Sequence, residues 1–123
     1  MNNSTTPTDT QVFSMLGEPA SKANSRRAVV IGGKPRFIKS SKALGYSAMF
    51  KQQLIGPGEN WEEDVAVEIT IYYASRRPDL DESLILDLLQ GHAYRNDRQV
   101  KEKHIFWGLD KENPRAEIKI WKI

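Results

Sequence analysis

From Val65 to Tyr73 the apolar residues Val65, Val67, Ile69, Ile71 and Tyr73 alternate with Ala66, Glu68, Thr70 and Tyr72. This period of two marks a strand with one buried face. Val12 to Leu16 reads as a first strand, stopped by Gly17 and Pro19. Ala28 to Ile31, the pair Gly32-Gly33, and Arg36 to Ile38 read as a hairpin, because paired glycines supply the positive φ of its turn. Ser40 or Ser41 can cap a helix reaching about Leu54, whose stripe of Tyr46, Phe50 and Leu54 repeats every four residues. A short helix over Glu82 to Gln90 buries Leu84, Ile85, Leu88 and Leu89, with Gly91 at its left-handed cap. Gln99 to Trp107 and Arg115 to Lys122 flank a turn with Gly108, Asp110, Asn113 and Pro114, and are expected to pair antiparallel. The fold class is α+β: a mixed β-sheet packed against two helices in one domain over residues 11–123, after a flexible polar tail at 1–10.

A chain of 123 residues has a small core. At this size roughly two thirds of the unfolded surface is buried on folding, so a partner subunit would add stability. The absence of cysteine excludes disulfides and thiolate metal sites, leaving oxygen or histidine ligands for any metal. No apolar run approaches the ~20 residues of a membrane span, and the first ten residues lack the regions of a signal peptide. The expectation is a soluble, intracellular, cytoplasmic protein with no membrane partner.

Charge is segregated. Residues 19–58 contain no carboxylate and eight cations, while all 16 carboxylates and the other ten cations lie elsewhere, so a net charge of +2 divides into +8 and −6. A polyanion suits the first part and a cation some of the second. The candidate DNA-binding residues are Lys22, Arg26, Arg27, Lys34, Arg36, Lys39 and Lys42, joined by Arg76 and Arg77.

Asp79-Leu80-Asp81 follows the alternating strand. In an extended backbone residues two apart point the same way, so both carboxylates converge. Their repulsion is relieved by a divalent cation, and Mg²⁺ takes one or two carboxylates with waters and a substrate phosphate. Asp97, sixteen residues beyond Asp81, can return to the same sheet edge as a third ligand after a helix out and back. A structural alternative stands beside this: Asp79 with Glu82 matches a capping box, Asp81 can cap the helix, and Asp97 suits an ordinary turn.

The segment from Asp79 to Glu102, with Asp79-Leu80-Asp81-Glu82, Asp87-Leu88-Leu89, Gly91-His92-Ala93-Tyr94 and Asn96-Asp97-Arg98-Gln99-Val100, resembles the RusA family of Holliday junction resolvases. The family pattern is Asp-x-Asp-Asn, an amphipathic helix ending near Asp-x-Leu, a Gly-x-x-Tyr turn, then Asp-Asp-x-Gln-Val. Gly17 to Arg27 is similar to the family's early Pro and Ser/Asn loop. The resemblance implies a RusA-like domain, a homodimer on branched DNA, and a Mg²⁺ site, with Mn²⁺ able to substitute, built from Asp79, Asp81 and Asp97. Glu82 stands where the family has Asn, Asn96 replaces the first aspartate of the pair, and no cation lies between Asp79 and Tyr94, where the family carries a catalytic lysine. Lys101, Lys103, Arg76 and Arg77 are the replacements considered, Lys101 being chosen for its nearness to Asp97 in sequence. Developing negative charge in the transition state demands such a cation.

The expected function is Mg²⁺-dependent hydrolysis of a phosphodiester in four-way junctions or related branched DNA, during recombination and repair. Asp79, Asp81 and Asp97 are ligands, with Glu82 as an extra ligand or a positioner of the base. Alternatives are a nucleic-acid-binding module without catalysis and a nuclease for flaps or forks. His92 and His104, twelve residues apart, are read as structural.

Overall fold

A computed structural model of the protein describes residues 10–21, 24 and 26–123. The elements are β1 (Thr10–Leu16), β2 (Arg26–Ile31), β3 (Lys34–Lys39), α1 (Ser41–Gln53), β4 (Val65–Tyr73), α2 (Ser83–Leu89), a 3-10 turn (Asp97–Gln99), β5 (Val100–Leu109) and β6 (Arg115–Lys122). Four strands form one mixed sheet in the order β1-β6-β4-β5, and β2-β3 form a separate hairpin. The architecture is the expected α+β sheet with two helices.

β4 takes a central place because six of its nine positions are buried and none is exposed. It pairs parallel with β5 and antiparallel with β6. This overturns the expected β5/β6 pair. β5 is exposed along most of its length and suits an edge, so the chain crosses the end of β4 before β6 begins. Asp110 N–H fastens that crossing by donating to the Tyr73 carbonyl at 2.9 Å.

The core lies between one sheet face and the helices. Val65, Val67, Ile69 and Ile71 of β4, with Ala116, Ile118 and Ile120 of β6, meet Phe50 of α1 and Ile85 and Leu89 of α2. The other sheet face leaves Val12, Leu16 and Phe106 exposed. The Ser40 side chain caps α1 by accepting from Ala43 N–H, and Tyr46 and Phe50 are buried as the stripe requires. The Tyr46 hydroxyl is buried without a hydrogen-bond partner among the described residues, and burial raises its pKa.

Two readings shift at the N-terminal end. β1 begins at Thr10 rather than Val12 and pairs there with Trp121. Gln11 is the buried position, with Nε2 donating to the Ala93 carbonyl at 2.9 Å, whereas Val12 faces out. A satisfied polar residue inside disguises the strand's start. The tail over residues 1–9 and Lys22 lie outside the described residues.

Candidate active site

After Tyr73 the chain leaves the sheet and runs back along β5 without regular structure until Ser83. Two aromatic side chains fix this return. Tyr73, 1% exposed, donates its hydroxyl to the Asp79 carbonyl at 3.0 Å and accepts from Asp81 N–H at 3.2 Å. Trp107 Nε1 donates to the Pro78 carbonyl at 3.2 Å and stacks on the Tyr73 ring at 5.9 Å. The Asp79-Leu80-Asp81 backbone is thus pinned on both sides of Leu80 by one buried phenol. Neither aromatic was singled out for the site by sequence, since both look like ordinary core residues.

Asp79 is exposed and Asp81 half-buried. The Asp81 Oδ1 accepts from Ser83 N–H at 2.9 Å and from Ser83 Oγ at 2.5 Å, so it holds the start of α2. Glu82 occupies the N-cap position without a side-chain capping bond, so the Asp79/Glu82 box does not form. Instead Glu82 Oε2 pairs with Lys103 Nζ at 3.1 Å. Lys103 is therefore the lysine that the fold brings to the acidic motif, whereas Lys101 lines a separate cavity with Asp64, Asn96, Arg98 and Gln99.

Glu18 adds a carboxylate that sequence reading passed over. Its Oε1 accepts from Ala74 N–H at 2.9 Å, and its Oε2 pairs with Lys42 Nζ at 3.1 Å. Burial raises the Tyr73 pKa; the Asp81 amide bond opposes it, while the negative charges of Asp81, Glu18 and Glu82 add to it. One phenol therefore senses three carboxylates. The only signal in the sequence is a Glu in the turn after β1, and its partner lies 56 residues away.

Asp97 opens the 3-10 turn, which Asn96 and Gln99 close with a reciprocal capping box. Its N–H donates to Gln90 Oε1 at 2.8 Å. Asp97 lines a cavity of about 350 Å³ together with Arg26, Lys39, Ala43, Ser83, Leu84 and Asp87. Ser83, the partner of Asp81, connects this cavity to the first acidic motif. Among the described residues no three His, Cys, Asp or Glu side chains gather closely enough to hold a metal ion.

The hairpin divides the basic residues. Arg26 and Lys39 are cross-strand partners, as are Arg27 with Ile38, Val29 with Arg36, and Ile31 with Lys34. Because opposed residues share a face, Arg26 and Lys39 occupy one side and Arg27, Arg36 and Lys34 the other. Lys42 is engaged with Glu18, while Arg76 and Arg77 are exposed just before Pro78. His104 pairs with Glu102 at 2.6 Å and stacks on Trp121, and His92 packs against Phe13.

The family model described as Endodeoxyribonuclease RusA matches residues 16–121. The chain belongs to the RusA endodeoxyribonuclease family. No curated protein matches it. The match takes in the acidic segment, the hairpin and the residues that line the cavity. No described helix is long and apolar enough to cross a membrane.

Proposed function

We propose that this chain is a Mg²⁺-dependent structure-specific endonuclease that resolves Holliday junctions, or closely related branched DNA, by phosphodiester hydrolysis in recombination and repair. One observation carries the reading: in a RusA-family chain, an acidic segment pinned by Tyr73 and Trp107 adjoins a cavity whose other wall is the cationic root of the hairpin.

Asp79, Asp81 and Asp97 would provide the cation's ligands, one or two directly and the rest through metal-bound water, because no three of the described side chains gather closely enough to hold it together. Their carboxylate oxygens suit a hard cation, and Mg²⁺ needs only one or two protein carboxylates when waters and a substrate phosphate supply the rest. Bound there, Mg²⁺ would supply a Lewis acid and an activated water, with Mn²⁺ able to substitute. Ser83 holds Asp81 in place through its amide and hydroxyl. Glu82, restrained by Lys103, would position the attacking water or add a ligand, while Lys103, with Arg76 and Arg77 nearby in the chain, offsets charge at the phosphate. Arg26, Arg27, Lys34, Arg36, Lys39 and, beyond the described residues, Lys22 would follow the DNA backbone. A homodimer would present two such edges, one for each opposed cut of a junction.

The test is cleavage of a synthetic four-way junction, a flap and a fork with Mg²⁺, Mn²⁺ or chelator, with mass measured by sedimentation. Paired cuts in the junction are expected with either metal and none with chelator, from a protein of twice the chain mass. Cutting in chelator would remove the metal from the mechanism. Preference for flaps or forks would reassign the substrate, and tight binding without cutting would favour a binding module.

A further inference from the structure

The cavity beside Asp97 carries a mixture of chemistry that a metal site or a backbone-tracking arm alone leaves unexplained. Arg26 and Lys39 stand at its hairpin side, buried Ala43 and Leu84 give it apolar wall, and Asp87 and Asp97 give it carboxylate. Its volume of about 350 Å³ falls within the range of sites that enclose small organic groups. A phosphate would use the cations and gain nothing from the apolar wall. A metal ion would use the carboxylates and gain nothing from the apolar wall. A nucleotide uses all three, because it joins an anion, a flat apolar face and a polar edge.

We infer that this cavity receives one unstacked nucleotide adjoining the cut, its phosphate on Arg26 and Lys39, its base against Leu84, and its exocyclic amine donating to Asp87. The inference rests on the branched-DNA reading above. Asp87 is the exposed residue of an α2 whose buried positions are otherwise apolar. Its Oδ1 accepts from Gln90 Nε2 at 3.0 Å, and Gln90 Oε1 accepts from Asp97 N–H at 2.8 Å, so one glutamine fixes the base-reading and the proposed metal-binding aspartates together. A carboxylate can only accept hydrogen bonds. Adenine and cytosine offer an exocyclic amine at one edge, where guanine and thymine present a carbonyl oxygen, and thymine has no exocyclic amine at all. The cavity should therefore disfavour thymine.

The experiment measures equilibrium binding of the full chain, in chelator, to four-way junctions whose branch-point nucleotides are all amine-bearing or all thymine. The wild-type chain should bind the amine-bearing junction about tenfold more tightly, the worth of one such hydrogen bond. In Asp87→Asn, which places an amide donor beside the thymine carbonyl and can still accept from Gln90, the ratio should fall close to one, with the melting temperature unchanged. Equal binding by the wild-type chain, or a ratio that persists in the variant, overturns the cavity assignment. Failure to prefer any junction over linear duplex strikes instead at the substrate reading on which it rests.

Discussion

The acidic segment and the basic hairpin differ in how they are held. Residues 78–83 form no helix or strand up to Ser83, yet their backbone is fastened to the buried sheet by Tyr73 and Trp107. The hairpin is regular β-structure, yet it pairs only with itself and exposes Val30, Ile31 and Phe37. Irregular backbone is thus the better supported of the two. Groups that must meet a reacting atom need fixed positions, whereas phosphate contacts set register on the duplex and carry no sequence information.

The sharpest test of this contrast is Asp81→Asn. Asparagine caps a helix nearly as well as aspartate, so the melting temperature should hold, while junction cleavage should fall by roughly a thousandfold as several kcal/mol of charge stabilisation is lost. A large drop in stability with cleavage retained would reduce Asp81 to a cap. Next comes Tyr73→Phe, which removes one acceptor and one donor from the segment. Thermal unfolding should show a loss of about 1–3 kcal/mol, and single-turnover cleavage should fall by about tenfold or more with junction affinity unchanged. If affinity fell as well, the acidic segment and the hairpin would not be separable.

On the hairpin side, replacing Arg26 and Arg27 with alanine should leave stability within about 0.5 kcal/mol. A salt titration of junction binding should show its slope reduced by about one for each phosphate no longer neutralised. The smallest effect is expected in the core that carries the acidic segment: Tyr46→Phe removes a buried, unsatisfied hydroxyl and should raise stability by about 1 kcal/mol in chemical denaturation, with cleavage unaltered.

Local pattern made much of this legible. Alternation located β4, the serine cap and the stripe of Tyr46 and Phe50 located α1, and Gly32-Gly33 located the hairpin turn, because each signal lies within a few residues of what it specifies. Sheet order was not legible from these cues: β5 and β6 are neighbours in sequence, but the greater burial of β4 places it between them. The same limit applies at the site. The acidic motifs stand out as text, but Glu18 reaches Ala74 through folding alone. Lys101 and Lys103 both lie on β5, but a register shift against β4 falls at Lys101, and the path of the returning chain brings Lys103 to Glu82.

That path also bears on how the sequence can change over time. Trp107 meets the chain at Pro78 and Lys103 meets it at Glu82, both from the same face of β5. A single-residue insertion or deletion between them would turn one of the two to the opposite face. Lineages of this protein can therefore lengthen or shorten the hairpin tip with little consequence, while changes of length within β5 should be rare and, where they occur, arrive in pairs.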